Sequence, residues 1–368
     1  MGSVSTPPPQ PRILLIGAGV IAHHHAEGAR AWQADIPLFA ADPNERARAA
    51  FAAKFGCAVY PDAASMLAAV PPAARDVVVV ATPPNTHAPC ARLALENGRH
   101  VLCEKPLAMN DAEAAAMCLL AEAQGRLLGC CSSRFRGLPT TAHVRKLVSA
   151  GSLGRELHLT WMQRDCAARS GIEYQPGSRW FLDRAVSGGG CLLDWGPYDI
   201  ACWTEFLEID RVDVLHAWAS KVDRPPHVPE NCVHDVESRL VASIRLTLKN
   251  GDHVALSYER TSAVFGPEFS HFSLEGENGT VTWDWRGYGP QVVLEHFREE
   301  NGASETHRIE AANPPPFLHA RPVHFMLNRL SGQPSEGGIF GAEALFNFRI
   351  LTALYTAAET GAPATVTR

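Results

Sequence analysis

Pro11-Arg-Ile-Leu-Leu-Ile-Gly-Ala-Gly-Val-Ile-Ala22 decides how this chain is read. Residues 13–16 are uninterrupted apolar, which suits a strand buried on both faces of a parallel sheet. Gly17-x-Gly19-x-x-Ala22 then turns the chain into a small-residue helix. Gly17 permits the tight turn, Gly19 has no Cβ to keep a pyrophosphate from the backbone, and Ala22 lets helix and strand pack closely. The helix start at Val20 and Ile21 offers free N–H groups and a positive dipole end to phosphate. The motif carries weight only inside a βαβ unit with an acidic residue about 20 positions on. Pro37-Leu-Phe-Ala-Ala-Asp42 reads as that second strand, with Asp42 at its end. A carboxylate there accepts hydrogen bonds from both hydroxyls of an adenine-side ribose and repels a 2′-phosphate. Pro43-Asn44 adds no adjacent cation, although Arg46 and Arg48 are near. NAD is therefore expected, with NADP less favoured. The competing reading is a plain α/β turn that holds no nucleotide.

The chain has 368 residues, which suits one large domain or two ordinary ones. Its 46% hydrophobic and 20% charged residues allow a full core. A net charge of -6 leaves no basic footprint for nucleic acid. No apolar run is long enough to cross a bilayer. Residues 1–10 are small and Pro-rich, without a charged start or apolar stretch, so a disordered tail is expected rather than a secretory signal. The 10 cysteines form no CxxC and are scattered through apolar segments. That fits reduced thiols in a cytoplasmic protein better than a disulfide framework. The run His23-His24-His25 invites a metal reading, but consecutive helical residues point in different directions and cannot all chelate one ion. No metal is expected.

Further along, helices are predicted over 45–55, 63–70, 88–97 and from Asp111 to about 124, with Asp111 as a cap. Strands are predicted at 58–60, 76–80, 100–103 and 126–131. This alternation predicts an N-terminal Rossmann-type, doubly wound parallel sheet over 11–131, with ligands over the strand C-terminal ends. The loops holding Gly17, Asp42, Thr82 and Glu104 lie at such ends. Beyond 131 the grammar changes. Helices at 140–150 and from Cys191 surround strand-like stretches at 156–163, 211–218, 236–248, 253–259, 269–275 and 280–285. Lys249-Asn-Gly-Asp252 signals a hairpin. Residues 132–368 are thus expected to form an α+β domain with a large, mostly antiparallel sheet, closed by a helix over 342–360.

Two stretches carry chemistry. Glu104-Lys105-Pro106 follows a parallel strand directly, placing a lysine over the cofactor crevice, where it can exchange a proton with a substrate hydroxyl. The plain alternative is a solvated surface turn. Ser187-Gly-Gly-Gly-Cys-Leu-Leu-Asp194-Trp-Gly-Pro-Tyr198-Asp199 supplies the second part. Asp194 and Tyr198 are four apart, so on a helix they share a face. Pro197 fits only near a helix start or in an irregular turn. The alternative is that the glycines merely begin a helix and Tyr198 is core.

With these residues in view, the chain resembles the Gfo/Idh/MocA oxidoreductases, the family of glucose–fructose oxidoreductase and inositol dehydrogenase. The resemblance rests on the Gly17 motif, Thr82-Pro-x-Asn85-x-His87, His100-Val-x-x-Glu104-Lys105-Pro106, Arg134-Phe135, Gly151-x-Leu-Gly154 and Gly188-Gly-Gly-x-Leu-x-Asp194-x-Gly-x-Tyr198. It implies an NAD-dependent dehydrogenase of a sugar, sugar derivative or cyclitol. Lys105 matches the catalytic lysine and Asp194 the substrate-orienting aspartate. Tyr198 stands where many members carry histidine; with a reference pKa of about 10 it is a relay or donor rather than a free base. Thr82, Pro83, Asn85 and His87 match the loop beside the dinucleotide, and Glu104 a residue near its nicotinamide ribose. Trp180 aligns with a tryptophan facing the active site, although tryptophan is also a common core residue. Arg164, Arg169 and Arg179 lie in a stretch expected to line the pocket, there to meet an acidic sugar or simply to be solvated. The family further implies homodimers or homotetramers packed through the second sheet. Two other functions share the fold: an NAD-dependent glycosidase working by oxidation, elimination and reduction, and a non-catalytic sugar or nucleotide sensor.

Overall fold

A computed structural model describes residues 10–166, 178–223, 228–264 and 266–368. Residues 1–9 of the tail expected at 1–10, and Arg169, lie outside the described residues. The first half builds a six-stranded sheet from β1 (Arg12–Ile16), β2 (Leu38–Ala41), β3 (Ala58–Tyr60), β4 (Asp76–Val80), β5 (His100–Cys103) and β6 (Leu128–Cys130). Its order is β3-β2-β1-β4-β5-β6, and every pairing is parallel. Ile13, Leu14, Leu15 and the four valines of β4 are all 0% exposed, as a strand covered on both faces requires. The strand order reverses between β1 and β4, and ligands bind at such a switch point.

Local signals placed the helix boundaries. The helix Glu45–Phe55 starts on the Asn44 side chain, which accepts from the backbone N–H of Arg46 and Ala47, and ends on Gly56 at φ 62. At the next long helix the expected cap shifts by one residue. Asn110 is the cap, accepting from the Glu113 N–H at 2.9 Å, and Asp111 is the first helical residue.

The second sheet has nine strands: β7 (Leu157–Cys166), β8 (Ile209–Ser220), β9 (Arg239–Leu248), β10 (His253–Val264), β11 (Phe269–Gly276), β12 (Gly279–Trp283), β13 (Gln291–Glu300), β14 (Ala303–Ala312) and β15 (Ala364–Thr367). They lie in the order β14-β13-β12-β11-β7-β10-β9-β8-β15. Every pairing is antiparallel except β7 with β10 at the centre. One face carries the helix Cys191–Phe206, with Trp161, Trp203 and Tyr258 buried between them. The strands β13, β14 and β15 were not anticipated. β14 reads Ser304-Glu-Thr-His-Arg-Ile-Glu310, and most of it is exposed, so no buried apolar face marks it as a strand.

The chain then returns to the first sheet. The helix Arg321–Leu330 places Val323, Met326 and Leu327 in the same core as Ile13, Leu15 and Leu102. A Cβ on Gly28 would lie 2.8 Å from Ala320, so the helix Val20–Trp32 abuts this return closely. Ile339 accepts from the Cys130 N–H at 3.0 Å and Phe340 bridges Gly129, covering the edge of β6. The final helix, Gly341–Thr360, ends on Gly361 at φ 68. No described helix is long and apolar enough to cross a membrane.

Candidate active site

At the switch point the two glycines serve different needs. Gly17 has φ 99, and a Cβ there would lie 2.5 Å from the Ala81 carbonyl oxygen, so the protein itself demands glycine. Gly19 has an ordinary φ of -77, and a Cβ there would meet nothing within 4 Å. The fold does not need glycine at 19, and the backbone there stands open to a ligand. The helix Val20–Trp32 starts at this position without a side-chain cap, leaving its N–H groups available. Ala22 is fully buried, whereas Val20 is 58% exposed beside the open backbone. Asp42 is held in place by the N–H of Ala18 at 2.8 Å and of Asn44 at 2.7 Å. Arg48 is engaged by the carbonyls of Asp42 and Pro43, while Arg46 is exposed. This arrangement fits a dinucleotide.

The next two strand ends form one unit. Thr82 and Pro83 are half-buried, and Asn85 is exposed. His87 is fully buried, with Nδ1 2.7 Å from the Pro106 carbonyl and Nε2 2.9 Å from the Thr82 carbonyl. Burial pushes its pKa down, against the pull of the two carbonyls. The ring lies between two backbone carbonyls, so His87 links the Thr82 loop to the Lys105 loop. Glu104 is buried and accepts from the N–H of Lys105 at 3.0 Å and from Arg134 at 3.3 Å; its Oε1 lies 2.8 Å from His25 Nε2. Burial alone would raise its pKa, but the His25 hydrogen bond and the charges of Arg134, His25 and Lys105 outweigh this and hold it well below the usual carboxylate range.

The three consecutive histidines diverge. His23 meets Phe51 and Phe55, His24 stacks on His319 at 4.5 Å, and His25 turns inward to Glu104. His25, Glu104 and Cys131 offer ligand atoms within 4.8 Å of one another. Arg134 and the Lys105 N–H bind the same carboxylate, so the cluster reads as a hydrogen-bond network around Glu104.

The helix Cys191–Phe206 brings the second wall. Lys105 Nζ donates to the Asp194 carboxylate in a short contact and to the Asp194 carbonyl at 2.7 Å. The same nitrogen lies 5.2 Å from the centre of the Tyr198 ring. Lys105, Asp194 and Tyr198 therefore meet in one place. Tyr198 is 2% exposed, and its hydroxyl has no hydrogen-bond partner among the described residues. Burial pushes its pKa well above 10, so the phenol stays protonated at neutral pH.

What holds this helix was not read from the sequence. Glu237 accepts the N–H groups of Gly190 at 2.8 Å and Leu192 at 3.0 Å, capping the helix start, and Tyr355 donates to it at 2.9 Å. Burial raises the Glu237 pKa. The glycines are required by this cap: a Cβ on Gly190 would lie 1.9 Å from the Glu237 carbonyl oxygen, and one on Gly189 2.2 Å from the Tyr355 hydroxyl. Pro197 lies in the second turn of a continuous helix, rather than at its start or in an irregular turn. Two residues later, Asp199 anchors the helix to the sheet. Fully buried, it accepts from Trp161 at 2.8 Å, from Tyr258 at 2.8 Å and from Arg260 through two nitrogens.

The expected pocket residues Arg164, Trp180 and Arg179 each have a protein partner. Trp161 and Gln163 of β7 face the helix, so Arg164 points to the opposite side of the sheet. There it pairs with Glu259 at 2.7 Å. Trp180 is half-buried and stacks on Phe181 at 3.9 Å, and Arg179 reaches Asn231 at 3.5 Å. Of the residues missed, Arg134 sat in a quoted motif without an assigned role, and Asp199 ended another. Glu237 and Arg260 gave no signal, since each acts through a partner distant in sequence, and His25 stood out only as part of the histidine run.

Comparison with known proteins agrees with this geometry. Residues 11–131 match the model of the oxidoreductase family with an NAD-binding Rossmann fold, and residues 141–282 match the GFO/IDH/MocA C-terminal domain. The chain is 35% identical to D-glucoside 3-dehydrogenase of Escherichia coli (strain K12), covering 95% of this chain and 96% of that protein. It is 34% identical to inositol 2-dehydrogenase of Rhizobium meliloti (strain 1021), over 73% of this chain and 74% of that one. A solved structure of levoglucosan dehydrogenase with NADH and levoglucosan superposes with a TM-score of 0.75 at 21% identity, covering 98% of this chain and 100% of the other. A glycine turn shaped for a dinucleotide, a lysine meeting an aspartate across the cleft, and matches along nearly the whole length have one source: the chain belongs to the Gfo/Idh/MocA family of NAD-dependent oxidoreductases.

Proposed function

We propose that the protein oxidises a secondary hydroxyl of a sugar, sugar derivative or cyclitol, or reduces the matching ketone. The meeting of Lys105 and Asp194 over the nucleotide cleft carries this reading. NAD, when bound, supplies the ring that exchanges hydride with the substrate carbon. Gly17, Gly19, Val20, Ile21 and Ala22 form its pyrophosphate seat, and Asp42 takes the adenine-side ribose hydroxyls, which selects NAD over NADP. Thr82, Pro83 and Asn85 line its flank, and Glu104 stands near the nicotinamide ribose. His87 serves as a positioning residue that ties two of these loops together.

Lys105, as the neutral amine, takes the proton of the reacting hydroxyl as the alcohol is oxidised, becoming the ammonium, and returns that proton in the reverse direction. Asp194 holds both the ammonium and the substrate hydroxyl, so the reacting groups are preorganised. Tyr198, kept protonated by burial, donates a hydrogen bond to the substrate oxygen. Lys105→Ala should lower turnover by about 10²- to 10⁴-fold, with NAD affinity near wild type by calorimetry. Equal loss of both would sink the assignment. Absorbance at 340 nm with a panel of glucosides and polyols tests the reaction class, and sugar release from an aryl glycoside without added NAD would mark a glycosidase instead.

The sheet face away from the helix carries the exposed Trp218 and Phe269, and we read it as the surface joining two or four copies. Light scattering of the eluting protein gives the count. The free thiols of the described cysteines suit a reducing cytoplasm.

A further inference from the structure

A run of aromatic rings leads outward from the proton-transfer residues. Tyr198 meets Phe135 edge-on with centroids 4.9 Å apart. Phe135 stacks on Trp195 at 5.8 Å and 24°, and meets Tyr288 edge-on at 5.8 Å. Exposure rises along the run, from 2% at Tyr198 and 3% at Phe135 to 59% at Tyr288.

Tyr288 is on the substrate side of the second sheet. Its neighbour Arg286 lies 5.7 Å from the ring centres of both Phe272 and Tyr288. The Arg286 guanidinium is fixed by Gln163 Oε1 at 3.2 Å. Phe272 packs on Trp161, and Gln163 is two residues from Trp161 on β7, so both share the face that carries the helix of Asp194. The Tyr288 ring is thus held from behind by a buried aromatic and a fixed cation, with most of its area exposed.

The two parts recognise different chemistry. Lys105, Asp194 and Tyr198 offer charges and a hydroxyl, which suit the hydroxyls of a single pyranose. Past Tyr198 the ring contacts pass through the buried Phe135 and emerge at Tyr288, centroid steps of 4.9 and 5.8 Å. One sugar seated on the polar trio does not span that distance, whereas a ring joined to it by a glycosidic bond does. Ring faces favour aromatic groups and the C–H faces of sugars. Resting on the sugar-dehydrogenase reading above, we propose that Tyr288 forms a second subsite that takes the aglycone ring of a glycoside, while the oxidised pyranose lies between Lys105 and Asp194.

The test is calorimetric titration of the full-length, NAD-loaded protein with methyl and p-nitrophenyl D-glucopyranosides of both anomeric forms. Wild type should bind the aryl glucoside about tenfold more tightly than the methyl glucoside, equivalent to about 1.4 kcal/mol. Tyr288→Ala should bring the ratio of the two affinities to about one, and Tyr288→Phe should keep it. An equal ratio in wild type, a preference that survives Tyr288→Ala, or failure of both glucosides to bind overturns the subsite. Turnover of methyl glucoside without an aryl preference overturns the subsite alone. Tyr288-dependent aryl binding with no change at 340 nm keeps the subsite and sinks the dehydrogenase reading.

Discussion

The wall of the cleft that carries Gly17, Gly19 and Asp42 and the wall that carries Asp194 and Tyr198 are held by different forces. On the first, backbone does the holding: Asp42 is fixed by two N–H groups, and Gly17 packs its own Cα against the Ala81 carbonyl. On the second, buried charges do it: Glu237 caps the helix start, and Asp199 ties the helix to Arg260 inside the sheet. Backbone contacts shape a loop without burying a charge, whereas a buried carboxylate depends on every donor that compensates it. The first wall should therefore respond to substitution by changes in shape, and the second by loss of folding free energy.

The largest expected effect is on the second wall. Asp199→Ala leaves Arg260 buried without its counter-charge, a change that costs about 3–5 kcal/mol, and urea denaturation should show it. A shift below about 1 kcal/mol would mean that the Asp199 network does not hold the helix. The first wall gives a paired test. Gly17→Ala combines a positive φ with a carbonyl clash and should cost about 1–3 kcal/mol. Gly19→Ala should leave the urea midpoint within about 0.5 kcal/mol of wild type while weakening NAD binding. If Gly19→Ala lost stability instead, the open space over its Cα would not be the nucleotide seat.

The smallest effect concerns pH. His319 stacks on His24, and burial, with help from Arg134 and His24, pushes its pKa down to about 3. As pH falls below the ordinary histidine range, near about 6.5, the unfolded chain gains a proton at this site and the folded chain does not. Stability contributed here is thus lost progressively as pH falls from about 6.5 toward 3. His319→Gln should shrink the drop in urea midpoint between pH 7 and pH 5 relative to wild type. An unchanged drop would show that His319 takes up its proton in the folded state. Glu104 acts in the same direction but below the ordinary carboxylate range, so it does not enter this comparison.

The comparison also explains what could be read early. The first sheet was legible strand by strand because each strand is a short apolar run bounded by glycine, asparagine or proline. The glycine turn and Lys105 were legible because each stands next to the strand end that positions it. Arg164 shows the opposite case. Its place in a loop-like stretch suggested a pocket residue, but strand alternation turns it to the far side of the sheet, onto Glu259. The glycine triplet was recognisable as a motif, but its reason was not, since the atoms it makes room for belong to Glu237 and Tyr355.

By itself, the sequence determined the parallel sheet, the cofactor seat and the spacing that puts Asp194 and Tyr198 on one helical face. These depend on local periodicity and on residues a few positions apart. Only the tertiary structure decided that Lys105 reaches Asp194, that Tyr198 is buried and protonated, and that Asp199 and Glu237 carry the helix presenting them. Those outcomes depend on burial and on charges from separate strands, and both exist only once the two sheets have closed on the cleft.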